Sequence, residues 1–264
     1  MRLRFVLSSV LALVAILATG CGSDGSDSGD AAPEAGPEHA AWSYEGETGP
    51  EHWDEVDEEY ALCEQGHNQS PVNLANATRS PFPGIVTDYQ PEKLEVEDDG
   101  HAIEAWVDQP DSSITIDGTR YELERFHFHL PSEELIQGRR FPASVHMVHV
   151  SDKDRIAVVA IMVKPGKPNP ALSFGIPDSP GEKIETDIEI DPDRLFPKDK
   201  TAYRYEGSLT TPPCTEGVTW TVFKQPITMS ADKLNAIRSV HHGNARPVQP
   251  IEQHRILVGP GLAR

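Results

Sequence analysis

Basic residues are scarce in this sequence of 264 residues. It contains 23 lysines and arginines against 42 aspartates and glutamates, which gives a formal net charge of −19. Nucleic-acid binding depends on basic side chains that neutralise phosphates, and an acidic surface repels them. We therefore expect no nucleic-acid partner.

Cysteine is also rare, with only three in the chain, Cys21, Cys63 and Cys214. None of them lies in a C-x-x-C pair, which argues against a zinc knuckle and against a thioredoxin-type redox site. In an exported protein, the even pair that remains after Cys21 is more often bridged than free.

The N-terminal hydrophobic run is too short for a transmembrane helix. It covers residues 5–17, whereas a helix needs about 20 apolar residues to span a bilayer. Arg2 and Arg4 precede it, and small residues lead to Cys21, a pattern typical of export signals. We interpret residues 1–21 as a lipoprotein-type signal that ends at a lipidated Cys21. An ordinary cleaved signal peptide and a retained anchor are the alternatives.

The next twenty residues contain almost nothing that could be buried. Residues 22–41 consist mainly of Gly, Ser, Asp, Ala, Pro and Glu, a composition that predicts a disordered acidic linker. With the signal, it predicts an exported protein, periplasmic or at the cell surface, tethered to a membrane by a lipid. Composition does not break again, so residues 42–264 are expected to form a single domain.

Strand patterns dominate that domain. Residues 113–116 run into Asp117-Gly118, a hairpin signal, and the continuous apolar run over residues 156–163 is typical of a strand buried on both faces. The clearest helical pattern covers residues 230–237, with Ser230 suited to the N-cap. We predict a mostly β (α+β) fold, built on one large, mainly antiparallel mixed sheet with short peripheral helices.

The alternation over residues 120–130 places two histidines side by side. In a strand, residues two apart share a face, so His127 and His129 point one way while Phe126 and Phe128 point the other. Strict alternation also puts Tyr121, Leu123 and Arg125 on one face.

Two imidazoles on one strand face are natural ligands for a zinc-like ion, and the next strand can provide a third. His146 and His149 are three apart there, so only one of them can join the site. A cupin-type site would show a related pattern, with a glutamate close behind the histidine pair.

Further motifs surround these histidines, in order, from Trp42 to about Val258. The motifs are Trp42-Ser43-Tyr44, Gly49-Pro50-Glu51-His52-Trp53, His67-Asn68-Gln69-Ser70-Pro71-Val72-Asn73, Phe126-His127-Phe128-His129 with Pro131-Ser132-Glu133, Val145-His146-Met147-Val148-His149, Gly207-Ser208-Leu209-Thr210-Thr211-Pro212-Pro213-Cys214, and Asn244-Ala245-Arg246-Pro247 with Gln249-Pro250. Together they resemble the α-class carbonic anhydrases.

The resemblance implies an enzyme, a carbonic anhydrase, that interconverts carbon dioxide and bicarbonate. It implies Zn²⁺ held by His127, His129 and His146, an orienting pair formed by Thr210 and Glu133, and a proton shuttle at His101. The substrate pocket implied by the family comprises Val148, Val158, Leu209, Thr211 and Trp220, with Tyr44 organising water. The resemblance further implies a disulfide between Cys63 and Cys214, and cis peptides at Ser70-Pro71 and Pro212-Pro213. It says nothing of the oligomeric state.

Three positions beside the implied ligands depart from the family pattern. Arg125 stands in place of a glutamine, Ser144 in place of a glutamate, and Glu134 in place of a histidine. Because the glutamine and the glutamate orient zinc-binding imidazoles, these changes predict weaker retention of zinc.

Two other functions are therefore kept open. The first is a catalytically weak, zinc-binding relative that serves as a surface binding module. The second is a metal-scavenging or structural lipoprotein, suggested only by the His241-His242 pair. Neither of them needs Thr210, Glu133 and His101.

Overall fold

The structure is a computed structural model that describes residues 41–80, 82–108, 111–253 and 255–263, all within one compact unit. The predicted export signal, Cys21 and residues 22–40 of the predicted linker lie outside the described residues. None of the helices in the described ranges is long and apolar enough to cross a membrane.

One sheet organises the described residues, and it confirms the predicted fold class. Its twelve strands are β1 Thr78–Arg79, β2 Val86–Asp88, β3 Glu92–Asp98, β4 Ile103–Val107, β5 Ser113–Ile116, β6 Thr119–His129, β7 Ala143–Ser151, β8 Ile156–Pro165, β9 Lys183–Ile190, β10 Thr201–Ser208, β11 Glu216–Met229 and β12 Leu257–Pro260. The strand order is β1-β12-β10-β11-β8-β7-β6-β4-β3-β9, and β5 pairs with β2 and β6. Only the pairs β1–β12 and β8–β11 of this described sheet are parallel.

The helices are short and peripheral. They are α1 Trp53–Val56, α2 Leu62–Gln65 and α3 Ala231–Val240, with 3₁₀ turns at Gly46–Thr48, Glu58–Tyr60, Pro170–Leu172 and Pro192–Leu195. Helix α3 begins where the sequence predicts, because the Ser230 side chain accepts a hydrogen bond from the Lys233 N–H at 3.2 Å.

The predicted hairpin joins β5 and β6. Asp117 and Gly118 have φ angles of 48° and 78°, and a type I′ turn needs positive φ at both central positions. Strand β8 is buried on both faces, as its apolar run predicts. Val159 and Ile161 belong to one core cluster, while Val158 and Met162 belong to the other.

The predicted alternation of β6 is wrong in its first half. The register with β7 shifts between Leu123 and Arg125, which inserts Glu124 as an extra residue. Tyr121 and Leu123 therefore share the core face with Phe126 and Phe128, instead of sharing a face with Arg125. Arg125 stays on the face that carries His127, and the bulge separates it from Tyr121 and Leu123.

Candidate metal centre

Strands β6 and β7 place three imidazoles next to one another. His127 and His129 project from one face of β6, and the opposite face buries Phe126 and Phe128 in the apolar core. His146 of β7 pairs directly with His127 in the antiparallel register. The ring centroids of the three histidines lie 4.6–5.4 Å apart. Each ring offers a nitrogen, and these nitrogens lie within 4.8 Å of one another.

Hydrogen bonding to His129 leaves one of its ring nitrogens free. Its Nδ1 lies 2.7 Å from the Asn244 carbonyl oxygen, so Nδ1–H donates and Nε2 carries the lone pair. Nε2 is buried and has no hydrogen-bond partner among the described residues. Asn244 is itself fixed, because its amide donates to the Phe128 carbonyl at 2.9 Å and accepts from the Leu130 N–H at 2.8 Å.

The other two rings contact carboxylates through the nitrogen that points away from the cluster. Nε2 of His146 lies 3.3 Å from Oε2 of Glu134 and 3.4 Å from the Ser144 hydroxyl, which leaves Nδ1 for a metal. Nδ1 of His127 lies 3.7 Å from Oε1 of Glu104, which leaves Nε2.

Burial holds two of the imidazoles in the form that a metal requires. It lowers the pKa of His127 and of His129 well below the usual value, and the neighbouring imidazoles lower both further. For His146, burial lowers the pKa, but the carboxylates of Glu134 and Glu133 outweigh it and the net shift is upward. Three converging imidazoles, one with an unpartnered buried nitrogen, fit a tetrahedral zinc ion with one open position.

Glu133 lies beside this cluster with no exposed surface. Its Oε1 accepts a hydrogen bond from the Arg246 backbone N–H at 2.9 Å, and its Oε2 lies 3.4 Å from Nε2 of His129. Without a metal, burial raises the pKa of Glu133 to about 7, opposed chiefly by the positive charge of His146 and also by a hydrogen bond from Thr210. Thr210 is almost fully buried in the loop that follows β10.

The three histidines form the floor of a cavity of about 160 Å³. One wall is apolar and consists of Val148, Val158, Leu209 and Trp220. The other side is polar and includes Thr211, Tyr44, His101, Glu104 and Arg125. The edge of the Trp220 ring faces the His146 ring at 5.0 Å, and its Nε1–H donates to the Ser208 carbonyl at 3.0 Å. The cavity therefore has a dry side and a wet side above the same three rings.

His101 lies on the wet side of this cavity. Its ring stacks on Trp42 with 3.8 Å between centroids, and its Nε2 lies 3.0 Å from the Trp42 carbonyl oxygen. Because a carbonyl only accepts, Nε2 carries a proton and Nδ1 is the basic nitrogen of the neutral ring. Burial raises the pKa of Tyr44 well above its usual range, so its hydroxyl stays protonated.

A disulfide anchors the Thr210 loop. Cys63 and Cys214 are bonded with an S–S distance of 2.08 Å, which confirms the predicted pairing. The guanidinium of Arg246 donates to the Cys63 carbonyl at 2.7 Å and to Oε1 of Gln69 at 2.8 Å. The cis peptides at Ser70-Pro71 and Pro212-Pro213 are present as predicted, with a third at Leu130-Pro131.

Two residues at the site, Glu104 and Arg246, were not predicted from the sequence to lie there. Glu104 reaches His127 because β4 and β6 pair with these two residues in register, and no local motif shows that pairing. For Arg246, a signal was present in the segment Asn244-Ala245-Arg246-Pro247, which carries part of the family resemblance.

Comparison with known proteins points to one family. The family model described as eukaryotic-type carbonic anhydrase matches residues 48–258. A carbonic anhydrase from Klebsiella pneumoniae is 40% identical over 215 residues, covering 80% of this chain and 87% of its own. One from Neisseria gonorrhoeae is 38% identical, covering 83% of this chain and 88% of its own. An α-carbonic anhydrase from Thermovibrio ammonificans, solved with the inhibitor sulfanilamide, superposes with a TM-score of 0.79 at 38% identity, covering 83% of this chain and 99% of its own.

Proposed function

The chain belongs to the α-class, or eukaryotic-type, carbonic anhydrase family, and from that premise we propose that it hydrates carbon dioxide reversibly to bicarbonate and a proton at a zinc ion. His127, His129 and His146 would hold the ion. The observation that carries this proposal is the convergence of one nitrogen from each ring to within 4.8 Å, together with the buried Nε2 of His129, which has no hydrogen-bond partner among the described residues. When bound, zinc supplies Lewis acidity that lowers the pKa of water toward neutrality, as is established for carbonic anhydrases.

Thr210 and Glu133 would orient the attacking water. Glu133 is an acceptor anchored by the Arg246 N–H, and Thr210, which helps to lower the pKa of Glu133, would donate its hydroxyl proton to the same carboxylate. With its own proton directed to that carboxylate, the Thr210 oxygen can only accept from the water, so a lone pair of the water turns toward the substrate. The pair contributes orientation and leaves the charge of the attacking group unchanged.

The dry wall would hold carbon dioxide, which is apolar and needs no hydrogen bond. Val148, Val158, Leu209 and Trp220 pack in one apolar cluster and line the same cavity as the three imidazoles, and the Trp220 ring lies 5.0 Å from the His146 ring. Thr211 is among the polar residues that line this cavity, and its hydroxyl would help to bind the anionic product.

His101 would carry the released proton to buffer. Its Nδ1 is the basic nitrogen because Nε2–H donates to the Trp42 carbonyl, so Nδ1 can accept a proton from water and pass it on to buffer. The protonated Tyr44 hydroxyl lies on the same side of the cavity and would order water between the metal position and His101.

The protein's location also belongs to this proposal. We expect export and tethering through lipidated Cys21, with residues 22–41 as the spacer, on the strength of the N-terminal sequence alone. A disulfide in the domain is consistent with an oxidising compartment.

The two other functions gain little from the structure. Among the described residues, His241 of the spare pair is bound through Nε2 to the buried Asp98 at 2.6 Å, which argues against a free metal-scavenging pair. The binding-module hypothesis relies on a weakened zinc site, and the carboxylates of Glu134 and Glu104 beside the imidazoles remove much of that reason.

A stopped-flow hydration assay on protein of measured zinc content tests the proposal. We expect about one zinc per chain and hydration that disappears when a chelator removes the metal and returns when zinc is added. The matched control is Thr210→Ala, which should keep its zinc and hydrate more slowly because the attacking water is no longer oriented. A zinc-loaded wild-type protein that hydrates carbon dioxide no faster than buffer would contradict the proposal.

A further inference from the structure

The residues that orient zinc-binding imidazoles differ in this chain from the pattern of its family. In that pattern, a glutamate two residues before the third ligand holds the ligand's outer nitrogen. This chain has Ser144 there, and a serine hydroxyl accepts a hydrogen bond but carries no charge. Where the family has a histidine after Glu133, this chain has Glu134. A carboxylate is thus missing from the strand and present on the loop.

The loop carboxylate reaches the ring that the strand carboxylate would have reached. Oε2 of Glu134 lies 3.3 Å from Nε2 of His146, and both side chains are almost completely buried. The Ser144 hydroxyl lies 3.4 Å from the same nitrogen, so the two groups share one N–H. Oε1 of Glu134 is buried without a hydrogen-bond partner among the described residues, so His146 is the contact that the structure provides for this carboxylate.

A similar exchange is found at His127. Arg125 replaces a glutamine that accepts a hydrogen bond, and a guanidinium has no acceptor. Nε of Arg125 lies 2.5 Å from Oε2 of Glu104. The guanidinium carbon of Arg125 lies over the Trp106 ring, 4.8 Å from its centroid. The other oxygen of Glu104 lies 3.7 Å from Nδ1 of His127. Arg125 therefore holds a carboxylate near His127, although Nδ1 of His127 has no hydrogen-bond partner among the described residues.

We propose that Glu134 is a positioning residue of the zinc site, which takes over the work of the strand glutamate, and that the charge of Glu104 near His127 partly offsets the loss of the strand glutamine. This inference rests on the proposed zinc-dependent function. Glu134 fixes the tautomer of His146 so that the lone pair of Nδ1 is available to the metal. The negative charge of Glu134 also makes the imidazole more basic, and so a stronger metal ligand. Glu104 acts on His127 through its charge alone, because at 3.7 Å it does not accept a hydrogen bond from Nδ1.

Zinc release into a strong chelator tests the role of Glu134 with a readout that does not depend on catalysis. Glu134→Gln keeps the shape of the side chain and removes the charge, and it should release zinc about 10–100-fold faster than the wild type. Adding Ser144→Glu to that variant returns a carboxylate to the strand and should bring release back to within about threefold of the wild type. The control Ser144→Ala should change the rate by less than about twofold, because its hydroxyl is the weaker partner.

A role in packing alone would give a different result. Loss of packing at position 134 would lower the melting temperature of the zinc-free protein, and a carboxylate at position 144 would not rescue it. If Glu134→Gln fails to fold, Glu134→His with Ser144→Glu restores the family arrangement and should hold zinc as the wild type does, while Glu134→His alone should lose it faster. Equal release from the wild type and Glu134→Gln, or faster release without rescue, would overturn the inference. A wild type that binds no zinc would instead contradict the proposed function.

Discussion

The two faces of strands β6 and β7 bury histidines for opposite purposes. His146 and His149 are three residues apart on β7, and both are almost fully buried. His149 lies on the core face, where Nε2 contacts the Tyr89 hydroxyl at 2.8 Å and Nδ1 contacts the Met147 carbonyl at 3.0 Å. His146 lies on the metal face, against two carboxylates and two other imidazoles.

The difference lies in what each face leaves unpaired. On the core face, each ring nitrogen of His149 has an uncharged hydrogen-bond partner. The imidazole therefore fills space in the core without an unpaired polar atom. On the metal face, Nε2 of His129 and Nδ1 of His127 are buried without a hydrogen-bond partner among the described residues, and all three rings line the cavity. Packing on the core face holds the strands in place. The metal face can then keep three imidazoles close together, in an arrangement that a bound cation would stabilise.

The largest predicted effect comes from removing the disulfide that anchors the Thr210 loop. Replacing both Cys63 and Cys214 by serine should lower the free energy of unfolding by about 5 kcal/mol, because the bridge closes a loop with a sequence separation of 151 residues. Guanidinium denaturation of the two proteins measures the difference. Thiol counting on the denatured wild type, without reductant, should find neither of these two cysteines free.

The same experiment separates the two faces. If the core face keeps the strands in place, the double serine variant should still fold at low denaturant and should lose its zinc before its far-ultraviolet signal changes. Simultaneous loss of zinc and secondary structure would show that the loops of the metal face are needed for the sheet itself.

The buried His149 on the core face is predicted to make the protein less stable in acid. Burial lowers the pKa of His149 from 6.5 to about 4, so the unfolded chain binds this proton more readily than the folded protein does. The free energy of unfolding is therefore unaffected by protonation of His149 above about pH 6.5. As the pH falls toward 4, proton uptake by the unfolded chain lowers it by up to about 3 kcal/mol.

Denaturant unfolding of zinc-free protein between pH 7 and pH 4 checks this. His149→Gln should show a shallower loss of stability over that range, because its amide does not titrate. A wild type and a variant with parallel pH dependences would mean that His149 is protonated without cost in the folded protein.

The smallest predicted effect concerns His101, at the mouth of the metal face. His101→Ala should lower kcat in dilute buffer by about 10-fold or more and leave kcat/KM nearly unchanged, because proton export follows the chemical step. A small imidazole buffer should restore the rate. An unchanged kcat at low buffer concentration would show that another group on the wet side carries the proton.

Local patterns were sufficient for part of this picture. The period of two in residues 126–129 separated the histidines from the phenylalanines, and the spacing of His146 and His149 sent them to opposite faces. The hairpin at Asp117-Gly118 followed from turn chemistry.

Features that depend on pairing between distant segments could not be predicted. The bulge at Glu124 is visible only in the register between β6 and β7, and it changes the face of every residue before it. Glu104 meets His127 across a strand pair, and Glu134 meets His146 from a loop. For the same reason, the residues at positions 125 and 144 predict a weaker site from the sequence alone, and the sequence does not show that Glu134 and Glu104 lie beside the same imidazoles.

Zinc content measured side by side in His146→Ala and His149→Ala tests most directly the claim that only one face of β7 binds metal. Both substitutions remove a buried imidazole from the same strand, and folding is verified by circular dichroism. His146→Ala should lose zinc affinity by more than about 100-fold, beyond the range of changes that act through a ligand. His149→Ala should be less stable but should retain about one zinc per chain. Retention of zinc by His146→Ala, or its loss from a folded His149→Ala, would contradict this account.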